Sequence, residues 1–337
     1  MTNGATVQAF ESAFADFVSA KYAIASSNGT VTLQAALRAL GVQPGDRVAA
    51  PPLTMSATSI SILNVGAVPM FVDVDARTWL MQWDALHRTA VSVSLYGLCD
   101  PSRGGSRLID DAAQTLRRHS GAAFTSYSFQ ASKILSTGEG GMLVTNDEAL
   151  AERARSYLSL GYRLRADQPR IDPHALKAPT FERHFLPQSI NGRMNDITAS
   201  LALGRLKRAD QLLADRREAA ALYRDELDGY DWLTPQFVPD GWTFDAWTFA
   251  VACDTPQRAL SLQNAVEKYG GERPYAAWRL TYDEPAFDFL GRGFGAQMIA
   301  CPVAESLQPR LLQFQTNSLE SATRNAKALR SALRAVD

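Results

Sequence analysis

The sequence alternates between short apolar runs of strand length and amphipathic segments of helix length, and this alternation constrains the fold most. Apolar or β-branched runs of strand length occur at 22–25, 47–51, 68–74, 90–95, 107–110, 124–129 and 142–146. Among them, residues 6–19 and 31–40 have apolar side chains at helical spacing. Strands that alternate with helices indicate a mainly parallel sheet covered on both faces. We therefore predict an α/β fold whose large domain has a mainly parallel sheet flanked by helices.

The pattern changes in the second half of the chain. Residues 161–192 are rich in Arg, Pro and Gln and predict a long loop, which in a compact domain is usually functional or mobile. The later segments predict helices at 147–160 (with Asp147 as N-cap), 195–227, 255–269 and 318–336, and a strand at 248–253. We place a domain boundary between residues 228 and 229. The large domain is then 1–228, including one long helix at about 195–227, and a smaller C-terminal α+β domain is 229–337.

Composition excludes several classes of protein. The 337 residues carry a formal net charge of -1 with scattered Lys and Arg, which argues against a nucleic-acid partner. No apolar run approaches the roughly 20 residues of a membrane span, and the start MTNGATVQAF lacks the features of a signal peptide. The three cysteines are far apart, and the histidines lack metal-ligand spacing. We expect a cytoplasmic protein with neither a metal site nor a membrane partner.

Three short motifs have residue types suited to a catalytic site. Ser-Asn-Gly-Thr precedes a helix, and the free backbone amides there, with Gly29 and the Thr30 hydroxyl, make an anion site. Asp110 and Asp111 end an apolar strand, where an open α/β sheet binds its ligands. Lys133 lies just before a glycine-rich turn, and a desolvated lysine can act as an imine nucleophile. Taken singly, a Gly-Thr turn before a helix is more often a simple cap, the acid is as often structural or capping, and a lysine such as Lys133 is more often a solvated surface residue.

The order of the motifs matches one known family. The matching segments are SSNGTVTLQAALRALGVQPGDRVAAPPLTMSATSISILNVGAVPMFVDVD, LIDDAAQT, SFQASKILSTGEGGMLVTND and NGRMNDITASLALGRL. On these segments the chain resembles the DegT/DnrJ/EryC1/StrS family of sugar aminotransferases, which have the fold type I architecture of aspartate aminotransferase. The resemblance covers residues 5–160 and 189–206 well and the last hundred residues only loosely. It implies pyridoxal 5′-phosphate as the cofactor.

The resemblance also assigns roles to individual residues. Lys133 matches the catalytic lysine that holds the cofactor as a Schiff base, and Asp111 matches the carboxylate that bonds the pyridinium nitrogen and makes the ring an electron sink. Asn191 matches an asparagine that reaches the phosphate of the neighbouring subunit, which implies a homodimer with shared sites. The implied cofactor-binding residues are Gly29, Thr30, Met55, Asp111, Gln114, Ser128, Lys133 and Asn191.

The implied reaction is a ping-pong transfer of an amino group. An amino donor, usually glutamate, converts the cofactor to pyridoxamine phosphate, which then aminates a keto-sugar, usually linked to a nucleoside diphosphate. The products of such enzymes enter surface polysaccharides, glycans or antibiotics. Two alternatives remain. A sugar dehydratase of the same family has histidine at the position of Lys133, and a non-catalytic paralogue would keep the fold for a structural or regulatory role.

The chain departs from the family at several places. Met55 stands where relatives carry an aromatic ring that stacks on the cofactor, and methionine makes only a soft contact with a π-face. The N-terminal arm of relatives is absent, and the stretch 97–128 is shorter than in relatives. Trp247 and Tyr275 are candidates for lining the sugar site.

Overall fold

The computed structural model describes residues 4–83, 89–102, 104–161, 189–291 and 300–336. Its α-helices are α1 Ala5–Phe17, α2 Gly29–Ala39, α3 Ala57–Asn64, α4 Glu148–Leu158, α5 Asp196–Leu206, α6 Ala209–Asp225, α7 Pro256–Lys268, α8 Pro302–Leu307 and α9 Leu319–Val336. Its strands are β1 Tyr22–Ser26, β2 Arg47–Ala50, β3 Val68–Phe71, β4 Ala90–Val93, β5 Leu98–Cys99, β6 Gly104–Asp111, β7 Gly121–Ser128, β8 Gly141–Thr145, β9 Leu233–Pro235, β10 Thr243–Phe244, β11 Thr248–Cys253, β12 Tyr275–Ala276 and β13 Leu311–Gln315. Short 3₁₀ turns occur at Leu95–Gly97, Thr281–Asp283, Pro285–Gly291 and Gln308–Arg310.

The larger sheet has seven strands in the order β1-β8-β7-β6-β4-β2-β3. The neighbouring pairs from β7 to β3 are all parallel, and β8 is antiparallel to both β1 and β7. Parallel strands need a crossover connection, and helix α3 provides it between β2 and β3, whereas the chain between β6 and β7 crosses over without a helix. The prediction of an α/β fold with a mainly parallel sheet is confirmed.

Helices cover this sheet on both faces. Successive side chains of a strand point to opposite faces, so that in β7 Phe124 packs with α2 and α4 whereas Tyr127 packs with α1 and α5. Phe14 of α1 meets the Tyr127 ring edge-on, with 5.0 Å between ring centroids. Burial of each such aromatic side chain stabilises the fold by about 1.5–3 kcal/mol. The apolar stripe of each helix therefore fixes which face of the sheet it covers.

A second sheet of four antiparallel strands, in the order β12-β13-β11-β9, follows in the C-terminal part. The strand predicted at 248–253 and the helices predicted at 255–269 and 318–336 are present as β11, α7 and α9. The apolar cluster beneath this sheet also takes in Ala219 and Tyr223 of α6. The domain boundary between 228 and 229 stays a prediction. None of the helices within the described ranges is long and apolar enough to cross a membrane.

The prediction of one long helix at 195–227 is wrong. α5 ends at Leu206 and α6 begins at Ala209. Between them the Arg208 N–H donates to the Arg205 carbonyl oxygen at 2.9 Å, a tight turn of the 3₁₀ type. Gly204, in the last turn of α5, has a low helix propensity that favours an early end. Of the loop predicted at 161–192, residues 162–188 lie outside the described residues.

Candidate active site

Gly29, Asp111 and Ser128, three of the predicted site residues, lie at one edge of the large sheet, where its parallel strands have their carboxyl ends. Asp111 on β6 is opposite Ser126 on β7. Farther along the same edge, Gly141 at the start of β8 is opposite both Ser128 on β7 and Ser26 on β1. The acid at the end of β6, the serine that precedes the lysine and the turn after β1 are thus brought together, as ligand sites are in open α/β sheets.

The turn after β1 is packed closely against β7 and β8. The Asn28 side chain caps α2 by accepting a hydrogen bond from the Val31 N–H at 2.9 Å. A Cβ atom at Gly29 would lie 2.8 Å from the Ser128 Cβ, and one at Gly141 would lie 2.5 Å from the Asn28 carbonyl carbon. The same Cβ atom at Gly29 would lie 3.3 Å from the Ser128 Oγ, so this hydroxyl is close to the first turn of α2, where a helix has amides without an intrahelical partner. The arrangement suits a phosphate group.

Asp111 is buried and held by two hydrogen bonds. Thr58 Oγ1 donates to Oδ2 at 2.8 Å, and the Ala113 N–H donates to Oδ1 at 3.1 Å. Burial raises the pKa of Asp111, whereas the Thr58 and Ala113 hydrogen bonds and the charge of Lys133 lower the pKa of the same group. The carboxylate is oriented and lies within the electrostatic reach of the lysine.

The neighbouring acid, Asp110, has different hydrogen-bond partners from those of Asp111. The hydroxyls of Ser92 and Ser94 donate to its carboxylate at 3.1–3.2 Å. Adjacent residues of a strand face opposite sides of the sheet, so only one member of the Asp110–Asp111 pair can face the site.

Lys133 follows β7 in a turn, where its N–H donates to the Gln130 carbonyl oxygen at 2.9 Å. Burial lowers the pKa of Lys133, and the charge of Asp111 raises it in part. Its Nζ lies 4.7 Å from the centroid of the Trp247 ring. The indole N–H of Trp247 donates to the Ser132 carbonyl oxygen at 2.9 Å. A desolvated lysine is neutral more often than a surface lysine and is a better nucleophile.

Gln114 is buried near the same edge. Its Oε1 accepts a hydrogen bond from the Tyr96 N–H at 2.5 Å, which leaves the side-chain amide to donate. Asp245 holds residues 115–117, the segment that follows Gln114. Its carboxylate is fully buried and accepts hydrogen bonds from Thr115 Oγ1 at 2.7 Å and from the Arg117 Nε–H at 3.2 Å. Asp245 was not singled out in the sequence because its partners lie about 130 positions away.

Three predicted residues are less engaged. Met55 is 45% exposed before α3, and Tyr275 on β12 is 62% exposed. The exposed Asn191 forms a backbone bridge with Ser159. Within the described ranges, no hydrogen bond joins any of the three to Asp111 or Lys133. Their roles, like those of Gly29, Thr30, Gln114 and Ser128 toward the cofactor, stay predictions.

Comparison with known proteins bears on the family to which the chain belongs. The model of the DegT/DnrJ/EryC1/StrS aminotransferase family matches residues 1–94 and 102–320. The chain belongs to this family. The resemblance found in the sequence is confirmed.

Individual relatives agree with the family assignment. GDP-perosamine synthase of Caulobacter vibrioides is 34% identical over 247 residues, which cover 66% of this chain and 62% of that relative. EpsN of Bacillus subtilis, described as a pyridoxal phosphate-dependent aminotransferase, is 30% identical over 321 residues, which cover 85% of this chain and 76% of EpsN. The aminotransferase from Psychrobacter cryohalolentis superposes with a TM-score of 0.85 at 25% identity, over 99% of this chain and 92% of that one. The match to the synthase spans less than two thirds of its length.

Pyridoxal 5′-phosphate is the cofactor of DegT/DnrJ/EryC1/StrS aminotransferases, and the residues of this chain fit it. The close approach of Gly29 to Ser128 forms a phosphate cradle that a Cβ atom would fill. Asp111 supplies a buried acceptor for a protonated ring nitrogen, and Lys133 supplies a desolvated amine for the aldehyde. The donor set therefore offers a partner for each charged or reactive part of the cofactor.

Proposed function

We propose that this protein is a pyridoxal phosphate-dependent aminotransferase that moves an amino group from glutamate to a keto-sugar linked to a nucleoside diphosphate. The observation that carries the proposal is the convergence of Lys133 and Asp111 with the cradle of Gly29 and Ser128 at one sheet edge. Two curated relatives support the substrate class, since one is a GDP-perosamine synthase and another is a UDP-2-acetamido-2-deoxy-3-oxo-D-glucuronate aminotransferase.

The residues divide the work of the reaction. Bound pyridoxal phosphate supplies an electron sink for the charge that develops when the substrate loses a proton. Asp111 would hold the ring nitrogen of the cofactor in its protonated form. Lys133 would bind the cofactor through its side-chain amine and, as a free amine, would carry the proton between the substrate and the cofactor carbon as a general base and acid. Burial lowers the pKa of Lys133, so a larger fraction of the amine is ready to accept a proton.

The active unit is a homodimer in this proposal, with Asn191 reaching the phosphate bound by the partner. An exposed amide can donate two hydrogen bonds, and within the described residues its side chain has no hydrogen-bond partner. The enzyme works in the cytoplasm, which is consistent with cysteines that are buried as thiols.

The first experiment tests the cofactor lysine. The purified wild-type protein is expected to be yellow, and borohydride reduction followed by digestion should find the cofactor on the peptide that contains Lys133. Lys133→Ala should stay folded and lose both the colour and the activity. Lys327→Ala, which removes an exposed amine on α9, is the matched control and should keep both. A reduced cofactor on any other peptide would contradict the assignment.

The second experiment tests the reaction. Wild-type protein is incubated with glutamate and a panel of nucleotide-linked keto-sugars, and the products are analysed by mass. Transfer of an amino group to one of them is expected. A sugar dehydratase would change the sugar without consuming glutamate, and Lys133 in place of histidine argues against that alternative. A protein that neither binds the cofactor nor consumes glutamate would be the non-catalytic paralogue.

A further inference from the structure

Trp247 is held at the site by contacts that fix both its backbone and its ring. It directly precedes β11, and its carbonyl oxygen accepts hydrogen bonds from Arg216 Nη1 and from Thr316 Oγ1, both at 2.9 Å. Its indole N–H donates to the Ser132 carbonyl oxygen, and its ring stacks on Trp278 with 6.1 Å between centroids. A half-buried side chain with this many constraints has little freedom to leave its position.

The backbone before Trp247 adopts a conformation that needs support. Ala246 has φ 49°, which is uncommon for a residue with a side chain. Gly97 has φ 98°, and a Cβ atom there would lie 2.9 Å from the Trp247 nitrogen and 3.0 Å from the Ala246 nitrogen. A strained backbone of this kind persists only where neighbouring contacts hold it in place. Here the hydrogen bonds of the Trp247 carbonyl oxygen and indole N–H hold it, and they place the indole ring against the turn that contains Lys133.

The side-chain nitrogen of Lys133 lies over this ring, with Nζ 4.7 Å from the centroid. The electron-rich face of an indole attracts a cation, and it does so more strongly where water is excluded. The indole N–H meanwhile fixes the carbonyl of Ser132, the residue directly before the lysine. Trp247 thus contacts the lysine at both ends, through the backbone of the preceding residue and through the amine.

We propose that Trp247 is a positioning residue for Lys133, and that the indole holds the amine whenever the lysine is not bonded to the cofactor. The inference rests on the proposed function, since a transaminase releases its lysine in each half-reaction and then needs that amine in a defined place to move the proton. Asp111 is the charged group that acts on the same amine from β6.

The test begins with the cofactor-free protein, so that it does not depend on turnover. The rate at which acetic anhydride labels Lys133 is followed by peptide mass as a function of pH in the wild type, Trp247→Phe and Trp247→Leu. Trp247→Leu should lower the pKa of Lys133 by about half a unit to one unit, because the attraction to the ring is lost. Trp247→Phe keeps a ring face and should retain most of the wild-type pKa.

The matched control is Trp242→Leu, because Trp242 packs against the same apolar cluster as Trp247. It should leave the pKa of Lys133 unchanged. Trp247→Met replaces Trp247→Leu if thermal melting shows that the leucine variant does not fold. An unchanged or raised pKa in the aliphatic variant would overturn the proposal, as would an equal fall in Trp242→Leu.

A second readout uses the holoenzyme. In the half-reaction with glutamate, Trp247→Leu should lower kcat by about tenfold to a hundredfold while KM stays within about twofold, because a misplaced base slows proton transfer more than substrate binding. A loss confined to KM would assign Trp247 to substrate binding instead and would overturn the proposal. Failure of the proposed function is recognised separately, as wild-type protein without trapped cofactor on Lys133.

Discussion

Replacement of Gly141 by alanine tests whether the close packing of β1, β7 and β8 at this position forms the proposed phosphate site. A Cβ atom at this position would lie 2.5 Å from the Asn28 carbonyl carbon, 2.6 Å from its oxygen and 2.9 Å from the Gly29 nitrogen. These are backbone atoms, which cannot swing aside as a flexible side chain can. Ordinary contact between carbon atoms needs about 3.5 Å or more, so the turn before α2 must move by about 1 Å.

The displacement should affect both stability and cofactor affinity. An extra methyl group in a packed region typically lowers the free energy of unfolding by about 1–3 kcal/mol. A shift of about 1 Å in the first amides of α2 also spoils their hydrogen bonds to a phosphate, and a bond to a charged group contributes about 1.5–3 kcal/mol. The loss of one such bond would raise the Kd of pyridoxal phosphate by about tenfold to a hundredfold.

The assay is a titration of cofactor-free protein with pyridoxal phosphate, together with thermal melting without the cofactor. Gly204→Ala is the matched control. Gly204 is exposed on α5, and no atom lies within 4 Å of a Cβ atom placed there. The control should bind as the wild type does and gain up to about 1 kcal/mol of stability. A Gly141→Ala variant with wild-type Kd would refute the proposed link between this residue and the cradle, whatever its melting temperature.

Three further predictions follow from the site. Asp111→Asn should still bind the cofactor but slow the half-reaction with glutamate by about a hundredfold or more in stopped-flow absorbance, because the ring nitrogen loses its charged partner; a wild-type rate would contradict the role. Inactive Lys133→Ala and Asn191→Ala chains, mixed to form heterodimers, should regain part of the activity in a complementation assay, because one of the two sites then has both residues; a fully active monomer would exclude shared sites. Asp245→Ala should lower the free energy of unfolding in urea by about 2–3 kcal/mol, since Thr115 and two arginines lose a buried acceptor; an effect below about 1 kcal/mol, as expected for an exposed ion pair, would be the contrary result.

The fold could be predicted in outline from the sequence because its strand-length apolar runs and its amphipathic segments are distinct. The strand limits 22–25, 47–51 and 142–146 were predicted to within one residue of β1, β2 and β8. The break between α5 and α6 could not be seen in this way. Buried positions 199, 202, 209, 213, 216, 220 and 223 continue at helical spacing through it, so that the apolar period gives no sign of the interruption.

The site could be predicted in part, because its motif residues follow the strand ends that hold them. Lys133 and Asp111 are brought together by the pairing of neighbouring strands, which the motif order already implies. The contact of Trp247 with Lys133 and the ion pairs of Asp245 could not be predicted. Trp247 and Lys133, and Asp245 and Arg117, are more than a hundred positions apart, and even Arg217 is 28 positions from Asp245. A single sequence has no periodicity that reports such distances.

The two adjacent acids show how the structure decides a choice that residue type leaves open. Asp110 and Asp111 have the same charge and both end β6, but a strand turns them to opposite faces. The Ser92 and Ser94 hydroxyls donate hydrogen bonds to the buried Asp110 carboxylate inside the protein. Asp111 accepts one hydrogen bond from a hydroxyl and one from a backbone amide, and the charge of Lys133 acts on the same carboxylate. The hydrogen bond from Thr58 and the charge of Lys133 therefore favour Asp111 over Asp110 as the acid of the proposed reaction, and this role stays a prediction.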